Sequence, residues 1–422
     1  MGIIRSLIAA YRASFAGLPR EVWLLSGALL VNRAGTMVLP FLSLYLTQDL
    51  GLTAIRAGQI IGCFGFGSMV GSYLGGWLSD RMSPLRVQQL SLFFSGIGFL
   101  VFTRLQTFGT LAVGIFVVAA VSDALRPALM VSVTHYSPPT SSRRSFALIR
   151  LAANLGMGIG PAVAGLLAHY GYFWIFVGDA ATCWMAGLML LVVFGAGVRP
   201  HEDDLGSPAP LGRSPWRDGP FLLFLLLIMA LAMTFFQVWT TMPLFLRATY
   251  GVTERAIGLL LSINALLIAL TEMLVIRAVE NRDALRMVGF GAFLVGAGLA
   301  LLPFGPPYSF AVAAMVILTV GEMLAMPISN TVVAERAGRG QTGRYMGIYT
   351  LAFSTAFVIG PVVGTSVYER LGPDALWFGI GVLGVLLGAA FASLSEPLGR
   401  KIETPTKIAD DRRTTHHSGN LD

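Results

Sequence analysis

The segment LYLTQDLGLTAIRAG, residues 44–58, recurs 200 residues later as LFLRATYGVTERAIG, residues 244–258. Both copies carry two leucines, a glycine, a threonine and a second glycine in the same register. Chance similarity between apolar segments would not keep loop glycines, prolines and arginines at one offset, so the sequence predicts a duplicated unit. The same offset relates Asp80 to Glu280, Leu85-Arg86 to Leu285-Arg286, Pro127 to Pro327, Arg144 to Arg344, and Gly160-Pro161 to Gly360-Pro361.

Apolar segments fill most of both copies. The chain of 422 residues is 55% hydrophobic and 12% charged, and its mean hydropathy is +0.72. Segments long enough to cross about 30 Å of hydrocarbon must be helical in lipid, because each backbone group needs a partner in its own segment. We therefore predict an all-α membrane protein with twelve transmembrane helices in two pseudo-symmetric six-helix bundles. The predicted spans are 22–48, 57–79, 86–105, 109–134, 145–168, 172–195, 219–247, 255–279, 285–303, 308–334, 345–368 and 374–395.

The polar segments divide the chain into five parts. Residues 1–20 are predicted to form an amphipathic helix on the inner membrane face, and residues 21–195 the first bundle. A cytoplasmic linker at 196–218 leads to the second bundle at 219–395, and 396–422 is predicted to be a disordered tail. His201 lies beside three acidic residues in the linker, but nothing there fixes a ligand geometry. We expect neither a metal site nor a cofactor.

Basic residues indicate the orientation. A net charge of +7 could suggest nucleic-acid binding, but the charges are sorted by loop and form no basic patch. Placing both termini in the cytoplasm leaves most of the Lys and Arg side chains on that side, as the positive-inside rule requires. The prediction is a multi-pass protein of a bacterial inner membrane that is a monomer and does not bind nucleic acid. The exceptions are Arg56, Arg104, Arg247, Arg255 and Arg370 outside, and Arg33, Arg126 and Arg150 within spans.

The turn between the second and third spans reads GGWLSDRMSPLR, residues 75–86. With the duplicated six-helix halves, this turn resembles the major facilitator superfamily, and within it bacterial twelve-helix drug:proton antiporters. The resemblance covers residues 20 to 395. The family's motif A runs Gly-x-Leu-x-Asp-Arg-x-Gly-Arg-Arg. Its first half is matched here and its second half is degraded, since Ser83 replaces the second glycine; the candidate cytoplasmic gate is Gly76, Leu78, Asp80, Arg81 and Arg86.

The resemblance implies a latch at this turn. Asp80 could hold arginines and a helix N-terminus of the other half by charge-assisted hydrogen bonds that break when the halves rock. The alternative is a charged loop that only fixes the topology.

A second glycine pattern lies on the fifth span. The segment GMGIGPAVAG, residues 156–165, resembles motif C of the antiporters, although Leu151 stands where that pattern has a further glycine. Small residues at this spacing allow close helix packing, and a proline can bend a helix. Packing and an antiport-specific role both remain open for Gly156, Gly160, Pro161, Gly360 and Pro361.

Ionisable residues inside the spans are the candidate cavity site, because such groups are costly in lipid and need a partner or a use. Asp123 and Arg126 share one helical face within pairing reach. Protonation of Asp123 could free Arg126 for substrate, or the two could form an inert ion pair. Asp179, nearer the outer end, is assigned a capping or packing role. The site residues are Arg33, Asp123, Arg126, Arg150, Asn154, Glu272 and Glu322.

The favoured function is secondary transport by alternating access, with protons and a small-molecule substrate as partners. Proton-coupled efflux of amphipathic, drug-like compounds is preferred, and the mixed charges of the cavity favour substrates with an anionic or zwitterionic part. The alternative is proton-coupled uptake of a peptide, sugar or other anionic or zwitterionic solute. The sequence has no HExxH motif, nucleophile elbow or Walker A sequence, so we expect it not to be an enzyme or a direct user of ATP.

Overall fold

The computed structural model describes residue 15 and residues 17–138, 141–195, 215–305, 307–337 and 341–395. Nearly all of the predicted amphipathic segment, residues 196–214 of the predicted linker and the predicted tail lie outside the described residues.

Twelve long helices run through the described ranges, and consecutive helices alternate in direction. Their positions agree with the twelve spans predicted from hydropathy. They are α1 (Arg20–Asp49), α2 (Ala54–Ser79), α3 (Pro84–Phe102), α4 (Phe108–Tyr136), α5 (Ser142–Leu167), α6 (Tyr172–Phe194), α7 (Gly219–Thr249), α8 (Glu254–Val279), α9 (Ala284–Ala300), α10 (Tyr308–Ala337), α11 (Thr342–Leu371) and α12 (Pro373–Ser393).

Hydropathy and length qualify 11 of these helices as membrane spans. The remaining helix, α2, is 26 residues long and unusually rich in glycine, which lowers its hydropathy. Three of its glycines pack directly on α4: a methyl group at Gly67, Gly71 or Gly75 would overlap the backbone of that helix. The glycine spacing of four residues therefore places two helix backbones in contact.

Three helices are interrupted where they pass the centre of the bundle. Helix α1 consists of Arg20–Ala34 and Val38–Leu44, followed by a π-helical turn at Tyr45–Asp49. Helix α7 consists of Gly219–Phe236 and Thr241–Thr249. Helix α4 is interrupted at Ala124, between Phe108–Asp123 and Leu125–Tyr136. The last interruption follows from Pro127, which has no N–H to donate to the carbonyl of Asp123.

The duplicated loop at residues 51–58 and 251–258 has the same structure in both halves. Gly51 and Gly251 have φ values of 66° and 63°, the left-handed region that favours glycine. Thr53 and Thr253 then cap α2 and α8, accepting hydrogen bonds from backbone N–H groups at 3.3 and 3.4 Å. The register detected in the sequence is therefore set by a left-handed turn followed by an N-cap.

Two faces of the bundle need names. The terminal face holds the first residue of α1, the last residue of α12 and the turn at Asp80. The opposite face holds the turns at Gly51 and Gly251.

Candidate functional site

A cavity of about 790 Å³ lies between the two halves. Nearly all the long helices contribute to it. Six of the seven predicted cavity residues line its wall: Arg33, Asp123, Arg126, Arg150, Asn154 and Glu322. The seventh, Glu272, lies just behind the wall and forms an ion pair with Arg150.

Two seams between the halves close the cavity at the opposite face. In one seam α2 packs on α11, and a methyl group at Gly58 would lie 2.7 Å from the carbonyl oxygen of Pro361. In the other, α5 packs on α8, and a methyl group at Gly258 would overlap the carbonyl oxygen of Pro161. The repeat offset relates the two seams, so glycines and prolines singled out in the sequence meet across the boundary between halves.

The Arg150–Glu272 ion pair joins the halves deeper in the molecule. Arg150 is on α5 and Glu272 is on α8, so the pair continues the α5–α8 seam toward the terminal face. The guanidinium side chain is 54% exposed and the carboxylate side chain only 11%. Sequence analysis identified both residues but could not pair them, because 122 residues separate them.

Asp123 and Arg126 form the predicted pair, although it is loose. The shortest distance between the guanidinium and the carboxylate is 3.8 Å, and the Arg126 side chain is 59% exposed. The other oxygen of Asp123 accepts a hydrogen bond from the Ser68 hydroxyl of α2. Arg126 can therefore turn toward a ligand in the cavity while Asp123 keeps a partner.

Glu322 is held by a different partner. The side-chain amide of Asn264, on α8, donates to a Glu322 carboxylate oxygen at 2.8 Å and also lies 3.0 Å from the Thr319 hydroxyl. This amide donor suits either a charged or a protonated carboxyl, since both forms keep an acceptor oxygen.

Asp179 caps the interruption of α1. Its two carboxylate oxygens accept hydrogen bonds from the backbone N–H groups of Met37 and Val38 at 3.2 and 2.8 Å. The acid also lines the cavity, but both of its oxygens are engaged by backbone. In the second half, Gln237 lies at the interruption of α7. Its side-chain amide donates to the carbonyls of Met233 and Gly360, each at 2.9 Å.

The candidate gate at the terminal face is exposed. Asp80 is solvent-exposed, and its carboxylate makes no hydrogen bond or ion pair with any residue in the described ranges. Arg81, in the turn that follows α2, lies over the ring of Trp77 in the last turn of α2, 3.8 Å from the centroid. Gly76 has open space where a side chain would be, and Arg86 is exposed. Among the described residues, Asp80 and Arg81 therefore make none of the predicted latch contacts with the other half.

The motif C glycines pack within the first half. A methyl group at Gly156 would lie 2.6 Å from the Arg33 Cβ, and one at Gly160 would lie 2.9 Å from the Thr36 carbonyl oxygen. Both glycines therefore allow α5 to approach the interruption of α1. Their counterpart Gly360 lies against Met233, just before the interruption of α7.

The capping role predicted for Asp179 agrees with its bonds to Met37 and Val38. Sequence reasoning missed three polar residues at or near the site: Ser68, Asn264 and Gln237, which orient or replace charged groups. Each is a polar side chain in an otherwise apolar span, which was the available signal. Their partners lie on other helices, so the sequence alone could not give their roles.

A family model described as the Major Facilitator Superfamily matches residues 24–355 and, in a second match, 224–414. The uncharacterized MFS-type transporter YttB of Bacillus subtilis is 24% identical over 87% of this chain and 93% of that protein. A Na(+), Li(+), K(+)/H(+) antiporter of Planococcus maritimus is 24% identical over 88% of this chain and 92% of its own. A crystal structure of the peptide transporter POT in complex with sulfate aligns with a TM-score of 0.80 at 15% identity, covering 92% of this chain and 97% of that one.

Proposed function

Since the chain belongs to the Major Facilitator Superfamily and is a multi-pass membrane transporter, not an enzyme, we propose that it exports small amphipathic molecules in exchange for protons. The observation that carries this proposal is the cavity between the halves, which is closed at one face and lined by ionisable side chains from both halves. A cavity placed between two bundles related by a repeat suits alternating access.

The closed face is the outer one in this proposal. With the terminal face in the cytoplasm, the two glycine–proline seams separate the cavity from the outside. The exposed, unlatched Asp80 then belongs to a state that can receive substrate from the cytoplasm. Rocking of the halves would part the seams and bring the terminal-face ends of the helices together.

Asp123 is the proposed site of proton exchange. It lies in the cavity between the Ser68 hydroxyl and Arg126. Protonation removes the negative charge that attracts Arg126, and the guanidinium is then free to bind substrate. Loss of the proton restores the attraction and favours substrate release. Proton binding at Asp123 and substrate binding at Arg126 are therefore linked, and the pH-gradient experiment determines whether this linkage drives exchange or co-transport.

Reconstitution in proteoliposomes with an imposed pH gradient tests the proposal. Dyes, peptides and sugars would be screened, and we expect an amphipathic substrate to move against an inward proton gradient. Asp123→Asn should abolish movement driven by the gradient but retain exchange of labelled for unlabelled substrate. If Asp123→Asn remains coupled, the proton site moves to Glu322 or Glu272, and the corresponding Gln variants decide between them.

Proton-coupled uptake of a peptide, sugar or other anionic or zwitterionic solute is the second candidate. The cavity arginines of the first half and Glu322 of the second half favour it, because they separate positive and negative charge across the cavity. Co-movement of substrate and protons in the same liposomes would select uptake.

A further inference from the structure

Arg33 is the cavity arginine whose guanidinium has no ion-pair partner among the residues that the structure describes. That guanidinium also makes no hydrogen bond to them, whereas Arg150 is paired with Glu272 and Arg126 lies near Asp123. Arg126 repels the Arg33 guanidinium and Asp123 attracts it, since both groups lie within electrostatic range of it. Two arginines therefore share the charge of one aspartate in this part of the cavity.

The backbone around Arg33 is held firmly in place. Gly156 of α5 packs against the Arg33 Cβ, and the Arg33 carbonyl accepts a hydrogen bond from the Thr36 N–H at 3.0 Å. Asp179 fixes the next segment of α1 by its bonds to Met37 and Val38. The side chain therefore starts from a fixed point on the wall of the cavity.

The carboxylates of the cavity do not supply Arg33 with a partner of its own. A carboxylate can take up a proton, but a guanidinium in a protein does not lose one. Glu322 already has an amide donor from Asn264, and Asp179 has two backbone donors. Each of these carboxylates therefore has a hydrogen-bond donor, whereas the permanently charged Arg33 guanidinium has no acceptor among the described residues.

An aromatic cluster lies beside these charges, toward the closed face. Phe64 and Phe357 meet edge to face with ring centroids 5.8 Å apart, and Phe236 lies 4.6 Å from Phe357. All three rings line the cavity. Phe64 is one helical turn from Ser68, the partner of Asp123, so the apolar surface begins one turn beyond the charged level.

We propose that the cavity binds amphipathic organic anions, with the anionic group on Arg33 and Arg126 and the apolar group against Phe64, Phe236 and Phe357. This inference rests on the proposed transport function and names its substrate class. An anionic group supplies the missing counter-ion, and two guanidiniums can donate to it at once. A cavity of about 790 Å³ is large enough for a drug-sized molecule of this kind.

Three naphthalene compounds of matched size test the charge preference: 2-naphthaleneacetate, 2-(2-naphthyl)ethanol and 2-(2-naphthyl)ethylammonium. Binding would be measured by isothermal titration calorimetry on the full chain in lipid nanodiscs. We expect the anion to bind at least about tenfold more tightly than the other two, as loss of a charged hydrogen bond predicts. Phe357→Ala should weaken the binding of all three compounds.

Arginine variants test whether Arg33 and Arg126 cause the preference for the anion. Arg33→Gln should lower the affinity for the anion about tenfold and leave the affinity for the alcohol unchanged, which also shows that the cavity is intact. Arg104→Gln, on an exposed turn at the opposite face, is the matched control and should keep the wild-type preference. Arg126→Gln should have the same effect as Arg33→Gln. It takes the place of Arg33→Gln in the experiment if Arg33→Gln does not fold.

Equal or tighter binding of the alcohol or the ammonium compound by the wild-type protein would overturn the inference. So would an unchanged preference for the anion in both arginine variants. The same experiments separate this inference from the proposed function. An anion preference that depends on Arg33, without any flux driven by a pH gradient, contradicts only the proton coupling. Gradient-driven flux without an anion preference contradicts only the substrate class.

Discussion

Asp218 joins three helices at the terminal face through one carboxylate. Nε and Nη2 of Arg336, on α10, donate to the two Asp218 oxygens at 2.9 Å each, and the Tyr345 hydroxyl of α11 donates to one of these oxygens at 3.3 Å. Asp218 also caps α7 by accepting the Phe221 N–H at 3.3 Å. Sequence analysis placed this residue in the linker, because none of its partners except Phe221 is near it in the chain.

The stability of the protein should depend on pH through this group. The hydrogen bonds from Arg336 hold the pKa of the Asp218 carboxyl below its usual value. A carboxyl whose pKa is lowered by folding stabilises the protein fully above its unfolded pKa of about 4, and this contribution is lost as pH falls through the lower, folded value. We expect Asp218→Asn to cost roughly 1–2 kcal/mol at neutral pH and progressively less below about pH 4.

Thermal denaturation of the purified protein in detergent, from pH 7 to pH 3, measures this difference. Asp374→Asn is the matched control, because Asp374 is exposed in the first turn of α12 and has no ion pair among the described residues. A difference between wild type and Asp218→Asn that stays constant over this pH range would contradict the assignment.

At the residue scale, the sequence predicted which ionisable groups face the cavity better than it predicted their partners. The cost of charge in lipid singles out Arg33, Arg126, Arg150 and Glu322. Only pairs within one helix, such as Asp123 and Arg126, follow from spacing. The Arg150–Glu272 pair depends on how α5 and α8 pack, and packing between distant helices is not contained in a local pattern.

At the element scale, the two seams depend on glycines that face carbonyl oxygens. We expect Gly258→Ala to part the α5–α8 seam, because the added methyl group would overlap the Pro161 carbonyl. Overpacking of this kind costs about 1–3 kcal/mol, enough to shift the equilibrium between states by about fivefold to more than a hundredfold. The state that is open at the opposite face should gain population, and transport should fall.

Labelling with a membrane-impermeant maleimide, added at the opposite face, measures this shift. The reporter is Leu39→Cys, which lines the cavity, in a background with Cys63→Ser and Cys183→Ser. Gly379→Ala is the control, since a methyl group there would have open space around it. Equal labelling of the Gly258→Ala and Gly379→Ala proteins would show that the seam does not close the cavity.

The helices themselves were predictable, and their interruptions were only partly so. The interruption of α4 follows from Pro127, yet Pro327, its counterpart by the repeat offset, lies inside an uninterrupted α10. The interruption of α1 precedes Pro40, which has no N–H to donate to the carbonyl of Thr36, and it is also stabilised by Asp179 from α6. The proline is a local signal, whereas the cap from α6 is a long-range contact that the sequence does not show.

At the scale of the whole molecule, we propose that a latch at Asp80 sets the balance between states. Asp80 is exposed in this state, so Asp80→Asn should leave this state intact and destabilise the state in which the terminal face is closed. We expect normal insertion and a transport rate lowered roughly tenfold, the effect of losing one charge-assisted bond. Glu280→Gln, at the corresponding turn of the second half, is the matched control because that turn lacks the motif.

Transport in proteoliposomes, normalised to the amount of inserted protein, measures the effect of Asp80→Asn. Unchanged transport by this variant would show that the turn is a charged loop that only fixes the topology. Equal losses in Asp80→Asn and Glu280→Gln would show that charge at either turn matters and that motif A has no special part.

The duplicated fold could be read from the sequence because repeated glycines and prolines record a repeated packing requirement. The boundary between the halves follows the same rule: Gly58 meets Pro361, and Gly258 meets Pro161. Each half thus contributes one glycine patch and one proline patch to the boundary, as each subunit does in an isologous dimer with a twofold axis. A single ancestral half could have assembled with its own copy through this surface, and gene fusion would then have made both copies free to diverge into a basic wall and an acidic one.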